Sequence, residues 1–338
     1  MRVFLTGGAG YIGSHTLLEL LRQGHDVHIF DNFSNSSRAG LARVRELAGQ
    51  DFGVSEGDIR DATAVAHALS EARPDAVIHF AGLKAVGESA QFPLRYYDVN
   101  VNGTLVLLDA MDAAGVRGIV FSSSATVYGD PDFTPITEDH PLRPANPYGR
   151  TKMMGEMIIS DWAQTTDGAS AILLRYFNPV GADASGRIGE DPSGKPENLM
   201  PYVTQVAVGR REALSVFGSD YPTRDGTGER DYIHITDLAR SHVAAVAKTA
   251  ELRGAETCNV GTGQGVTVLE MVQAFESANG IEIPHSITDR RPGDVATYVA
   301  SSARAKDLLG WEAEFDIEEM CASAWNWQSK NPQGYRDD

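Results

Sequence analysis

Through about residue 175, short β-rich apolar runs alternate with longer stretches whose apolar positions recur at helical spacing. The runs predict strands at residues 3–6, 27–30, 52–55, 76–80, 118–122 and 171–175. The stretches between them predict helices at about 12–23, 39–47, 62–72, 93–114 and 148–164. Gly24 and Gly115 stand where helix C-caps are needed, and Asp61 stands where an N-cap is needed. Six strands linked by helical crossovers make a parallel sheet covered on both faces.

After Arg175 the texture changes. Residues 178–198 are rich in Gly, Pro, Asp and Ser, and strand-helix alternation becomes irregular. Helical patterns return at 201–209, 237–249, 268–279 and 317–328, with a strand candidate at 257–260. This predicts a loop-built second lobe, some of whose elements return to the first sheet. The expected division is residues 1–177, with returning segments near 235–260, and a lobe over 178–338. The chain shows no internal repeat or low-complexity tract.

Composition narrows the setting. No apolar run approaches the roughly 20 residues a membrane helix needs, and the opening run is too short and glycine-broken for a secretory signal. Two cysteines, Cys258 and Cys321, are too few for a disulfide framework and point to a reducing cytoplasm, where the sequons at Asn35 and Asn102 are accidental. Lys and Arg number 29 against 46 Asp and Glu, a net charge of −17 that argues against nucleic acid or an anionic membrane as partner. An anionic ligand must then be held by local cations or helix N-termini.

The first strand runs into Thr6-Gly7-Gly8-Ala9-Gly10-Tyr11-Ile12-Gly13, and a helix follows at once. Such glycines allow a tight turn, close approach of backbone to a pyrophosphate, and close helix–strand packing. Asp31 ends strand two, where it can accept from an adenosine ribose and repel an additional 2′-phosphate, so the predicted cofactor is NAD. Nearby Arg38 is the one feature pulling toward NADP. The predicted fold class is α/β, a doubly wound parallel sheet of the Rossmann, NAD-binding type, with a smaller mixed α/β C-terminal substrate lobe. Segments just past strands three and four, Gly57, Asp58 and Ile59, and Phe80, Ala81, Gly82, Leu83 and Lys84, are then expected to line the cofactor. Lys84 reads equally well as a solvated surface charge.

Strand five ends at Ser122-Ser123-Ser124, and Tyr148 and Lys152 follow at i and i+4, on one face of one helix. An ammonium beneath a phenol stabilises the phenolate, and Ser124 supplies a hydroxyl to share the substrate proton. That set suits removal of an alcohol proton while hydride leaves carbon. Taken singly, each piece has an ordinary reading as helix surface or turn. There is no paired His spacing that would hold a metal and no P-loop, and His79 in an apolar strand reads as a core residue.

Together these stretches, with His79 to Ser89, Arg175 to Gly181 and Gly228 to His234, resemble the UDP-glucose 4-epimerase family of the extended short-chain dehydrogenase/reductase group, essentially end to end. The resemblance implies interconversion of UDP-galactose and UDP-glucose through a 4-keto sugar, with tightly held NAD, in a cytoplasmic homodimer built on helices around residues 93–114 and 148–164. It implies catalytic roles for Tyr148, Lys152 and Ser124. It implies NAD contacts from Gly7, Gly10, Tyr11, Ile12 and Gly13, from Asp31, Asn32, Phe33, Ser34, Asn35 and Ser36, from Asp58, Ile59 and Phe80 to Lys84, and from Asn100, Ser124, Tyr148, Lys152 and Phe177. Substrate contacts are implied for Ser124, Tyr148, Asn178, Asn198, Leu199, Ser215, Val216, Phe217, Arg230, Arg291, Asp294 and Tyr298, with no metal. The family often carries Asn-Asn where this chain has Val99-Asn100, so one expected amide is missing. Tyr298 stands where relatives accepting N-acetylated sugars carry a smaller residue. Two alternatives share parts of this pattern: a nucleotide-sugar 4,6-dehydratase or decarboxylase, and a non-catalytic NAD-binding regulator.

Overall fold

The computed structural model describes residues 1–335 except Ser193, Lys195, Glu197 and Pro292. Its first part runs β1 (Arg2–Thr6), α1 (Tyr11–Arg22), β2 (Asp26–Asp31), α2 (Arg38–Ala48), β3 (Gly53–Glu56), α3 (Ala62–Ala72), β4 (Ala76–His79), α4 (Val86–Gln91), α5 (Pro93–Tyr96), α6 (Gly103–Ala114), β5 (Gly118–Ser124), α7 (Pro147–Thr165) and β6 (Ser170–Tyr176). The remainder runs β7 (Asn178–Val180), α8 (Leu199–Ala207), β8 (Leu214–Phe217), β9 (Glu229–His234), α9 (Ile235–Lys248), β10 (Gly254–Val260), β11 (Gly265–Thr267), α10 (Val268–Asn279), β12 (His285–Thr288), β13 (Thr297–Tyr298), α11 (Ala303–Leu309) and α12 (Ile317–Lys330).

Seven parallel strands form the main sheet, in the order β10-β6-β5-β4-β1-β2-β3. The six expected strands are all in it, and β10, which returns to pair with β6, is the seventh. Along β1 the side chains alternate between two cores: Val3 and Leu5 join one cluster with α1 and α9, while Phe4 joins another with α3, α6 and α7. Ala76 and Ile78 against Val77 repeat the alternation on β4. Both faces are thus apolar, which is why these strands read as continuous hydrophobic runs. From β1 the strands are added outward through β2 and β3 on one side and through β4, β5 and β6 on the other. The strand order thus reverses between β1 and β4, and ligands of such sheets lie beyond the carboxyl ends of the strands at that point.

Caps follow the expected chemistry. The Asp61 side chain accepts from the N–H groups of Thr63 and Ala64, and Gly115 takes the left-handed conformation after α6. One expectation needs correction. The single helix expected over residues 93–114 is α5, a π-helical turn over Tyr97–Asn102, and α6, preceded by the unexpected α4. The π turn carries Asn100 inward, where its side chain bonds the backbone of Leu83 and the hydroxyl of Thr151, both distant in sequence.

In the C-terminal region β9 is flanked by β11 and β13 and also pairs with β7, while β8 pairs with β12. None of these short strands was expected. β7 holds a proline, β13 has two residues, and β9 begins Glu-Arg-Asp, so period-two apolar patterning is too brief or too charged to register. α9 packs against α1 and covers one face of the main sheet.

Candidate active site

The glycine turn is built for close approach. Gly7 has φ +68°, and a Cβ there would meet the Ala81 backbone N at 2.6 Å; one at Gly13 would lie 2.5 Å from the Gly7 carbonyl. Gly10 caps α1 without a side-chain bond, leaving the first N–H groups of the helix as donors for an anion. The Tyr11 hydroxyl donates to Gly181 O at 2.7 Å, tying the turn to the C-terminal region.

Asp31 is buried at the end of β2 and accepts from Ala9 N (3.0 Å), Phe33 N (2.9 Å) and Ser36 Oγ (2.9 Å), which fixes both the glycine turn and the following loop. Asn32, Ser34 and Asn35 are exposed beside it, and Phe33 sits at φ 53° with the Arg38 guanidinium 4.0 Å above its ring. Arg38 also pairs with Glu56, so the cation that pulled toward NADP is already partnered. Asp58 is held well below the usual carboxylate range, at about 2, chiefly by hydrogen bonds from Arg60. The side chain of Ile59 is buried in the core against Gly103, so only its backbone is available to a ligand. Beyond β4, Ala81 N donates to Thr6 O, Leu83 N donates to Asn100, Gly82 lies over the same amide, and Phe80 packs on His242. Lys84 forms an ion pair with Glu190 across the crevice at 3.5 Å. His79 bonds Thr6 and Thr104, as a satisfied core histidine does.

Tyr148 is the second residue of α7. Asn146 caps the helix by accepting from Gly149 N at 2.8 Å, Pro147 occupies its first turn, and Gly149 lets it abut the end of β5, where a Cβ would lie 2.8 Å from Thr126 O. The phenol and Lys152, one turn on, are both buried. Lys152 Nζ donates to Ser122 O at 2.6 Å and lies 6.0 Å from the centre of the Tyr148 ring. Ser124 Oγ accepts from Thr126 Oγ1 at 3.0 Å and hydrogen-bonds the phenol. Burial pushes Tyr148 up to about 12 against the Ser124 bond, and pushes Lys152 down to about 8 against the nearby Glu156 carboxylate. Desolvation thus dominates at the phenol of the protein without ligand, and the expected activation, by the Lys152 ammonium together with the ring of an oxidised nicotinamide, needs the cofactor in place.

Further out, Phe177 and Tyr298 pack in one small core with Ala125, and the Tyr298 hydroxyl donates to Ala125 O at 2.6 Å. Tyr298 is in register with Arg230 on β9, while Asn178 on β7 is in register with Tyr232. Arg291 pairs with Asp294 at 2.9 Å and lies 4.8 Å over the half-exposed Phe217 ring. Ser215 is exposed, but Val216 is a core side chain and offers only backbone. Asn198 precedes Leu199 as the N-cap of α8, yet its side chain is turned to Glu190 instead.

Several neighbours escaped the sequence reading. Tyr176 hydrogen-bonds Ser122, and Arg175 forms a buried bidentate pair with Glu156, to which Ser123 also donates at 2.5 Å. Glu156 stands at i+4 from Lys152, a spacing that could have flagged it. Among the described residues no group of His, Cys, Asp and Glu is placed to hold a metal ion, and no helix is long and apolar enough to cross a membrane.

Against known proteins, a family model described as GDP-mannose 4,6 dehydratase matches residues 4–324. The UDP-glucose 4-epimerase of Bacillus subtilis is 57% identical over 99% of both chains, and that of Homo sapiens is 53% identical over 99% of this chain and 98% of its own. Among solved structures, the Bifidobacterium longum UDP-glucose 4-epimerase in complex with NAD+ and UDP aligns with a TM-score of 0.95 and 49% identity, covering 99% of this chain and 100% of its own. The Stenotrophomonas enzyme, with bound NAD and formylated UDP-arabinopyranose, aligns with a TM-score of 0.96 and 48% identity, covering 98% and 99%. Similarity at this level over the whole length, with the Gly7–Gly13 turn and the Tyr148–Lys152 pair in place, means that the chain belongs to the UDP-glucose 4-epimerase family.

Proposed function

We propose that the protein interconverts UDP-galactose and UDP-glucose by epimerising C4, with NAD held in the crevice above β1 and β4. The observation that carries this reading is the buried set of Tyr148, Lys152 and Ser124 at the carboxyl end of β5, two strands from the glycine turn that follows β1. When bound, NAD supplies the hydride acceptor for C4 and later the donor, the sugar passing through a 4-keto form. Tyr148 takes the proton of the 4-hydroxyl and returns it to the same oxygen once the sugar has turned over, and Ser124 shares that proton. Lys152 supplies the cation that steadies the phenolate. Arg230 and Arg291 hold the diphosphate of an anionic substrate against the protein's net charge of −17, and Asp294 accepts from ribose hydroxyls. The hexose itself has to be gripped loosely, because it turns over between the two hydride transfers.

Incubation of the purified protein with UDP-galactose and no added cofactor tests reaction and retained NAD together. UDP-glucose should form without accumulation of a keto sugar or release of water. UDP-N-acetylglucosamine should turn over far more slowly, because Tyr298 is buried and fastened to Ala125. Dehydration is disfavoured by the absence of any acid in Ser124-Ala125-Thr126. A regulator that only senses NAD has no use for the intact triad.

Two predictions follow from the site's electrostatics. Nucleotide released by denaturing the purified protein should be NAD, and NADP should bind far more weakly, since Asp31 faces the ribose position and Arg38 is engaged by Glu56. Comparable binding of both, measured by calorimetry on stripped protein, overturns this. Second, Lys152 loses its proton as pH rises through about 8, removing the cation beside Tyr148, so kcat should fall on the alkaline side with an apparent pKa near 8. Lys152→Arg, which stays charged, should move that limb upward whatever its effect on absolute rate.

We also propose a homodimer in the cytoplasm. Phe92, Leu94, Leu105, Met154 and Met157 are exposed on or beside α5, α6 and α7, with Leu94 81% exposed, an apolar face of the kind a second copy covers. Sedimentation giving the mass of one chain at micromolar concentration would refute the dimer.

A further inference from the structure

Glu190 lies in the segment between β7 and α8, and its backbone and that of Gly189 before it are fixed from outside. Trp327 Nε1 donates to Glu190 O at 3.2 Å, a Cβ on Gly189 would lie 2.4 Å from the Trp327 ring, and Gly189 N donates to the Tyr335 hydroxyl at 3.0 Å. The side chain is only 11% exposed. One oxygen, Oε1, meets two partners: Lys84 Nζ at 3.5 Å, from the loop after β4, and Asn198 Nδ2 at 2.9 Å, the N-cap of α8. Because Asn198 is engaged there, α8 has no side-chain cap, and its first N–H groups remain free for a ligand.

A carboxylate is an unfavourable neighbour for a site that binds two pyrophosphates. An uncharged glutamine would accept from Asn198 equally well, so the charge must serve Lys84. Glu190 is the ion-pair partner of that lysine among the described residues. At 3.5 Å the carboxylate holds the ammonium as a charge and not as a hydrogen-bond acceptor, so the donors of the ammonium remain for whatever occupies the crevice.

We propose that Glu190 is a positioning residue that holds Lys84 for the cofactor and Asn198 for the UDP-sugar at once, coupling the two halves of the crevice through one carboxylate. This rests on the function proposed above. The test uses full-length Glu190→Gln, Glu190→Ala, Lys84→Met and the Lys84→Met/Glu190→Gln double variant. NAD release is followed during gel filtration and by fluorescence, and KM and kcat for UDP-galactose are taken per NAD-loaded chain. Glu190→Gln keeps the acceptor for Asn198 but not the charge, so NAD should leave roughly threefold to fivefold faster, the size of one half-exposed ion pair, while KM stays within about twofold. Glu190→Ala should add a roughly tenfold rise in KM. In the Lys84→Met background, Glu190→Gln should change NAD release no further. The proposal is overturned if Glu190→Gln holds NAD as the wild type does, if its effect persists in full without Lys84, or if Glu190→Ala leaves KM unchanged. The near-isosteric glutamine guards against misfolding as the cause. A wild type that retains NAD but converts no UDP-galactose would sink the function, while the NAD measurements would still decide whether Glu190 holds Lys84 for the cofactor.

Discussion

Tyr148→Phe should lower kcat for UDP-galactose by about 10³–10⁴, the upper range for a positioned acid–base group, with bound NAD, KM and melting temperature nearly unchanged. The substitution removes one oxygen from a ring that is 8% exposed, so packing is preserved. The group left behind, Ser124, keeps its bonds from Thr126 N and Oγ1 and is not stranded. Burial alone holds the Tyr148 phenol near 12, so its use as a base near neutrality depends on positive charge in the crevice, from Lys152 and from the oxidised pyridinium ring of a bound cofactor. Steady-state rates with nucleotide content measured on the same samples check this. A variant within tenfold of the wild-type kcat would remove Tyr148 from the proton path and with it the proposed mechanism.

The main sheet was legible in the sequence because its physics is local and repeated: apolar strands covered on both faces, helices between them, and caps such as Asp61 and Gly115 at their ends. The glycine turn and the Tyr148–Lys152 spacing were legible for the same reason, each being set within a few residues. What escaped was set by distant partners. The π turn that interrupts the helix expected over residues 93–114 exists to bring Asn100 to Leu83 and Thr151, and no local pattern announces either contact. Arg175 reads as an ordinary strand end, yet it is neutralised by Glu156 from α7 in the interior, a pairing visible only once β6 and α7 are packed. The same holds for Glu190, whose partners lie on the loop after β4 and at the start of α8. Lys84, ambiguous between surface charge and cofactor contact, is both half-exposed and engaged across the crevice, so its sequence context could not have decided the matter.

Gly13→Ala should cost the protein its NAD and therefore its activity. The added Cβ would lie 2.5 Å from Gly7 O and 2.7 Å from Gly8 Cα, both backbone atoms of the same turn. That turn has nowhere to retreat, because Gly7, at φ +68°, is itself pressed against Ala81 N and Cα. The start of α1 must therefore move off the turn, at an overpacking cost of about 1–3 kcal/mol, and its N–H donors move with it. Melting temperature should fall and NAD per chain should drop below what gel filtration detects. Gly10→Ala is the informative comparison: its nearest contact would be 3.4 Å, so the fold tolerates the methyl and the melting temperature of the stripped protein should hold. Any loss of NAD in that variant then reports on how closely the pyrophosphate must approach the backbone, separating the glycine needed for packing from the one needed for the ligand. If Gly13→Ala bound NAD as the wild type does, helix α1 would not be the anion site, and the placement of the cofactor above β1 would have to be abandoned.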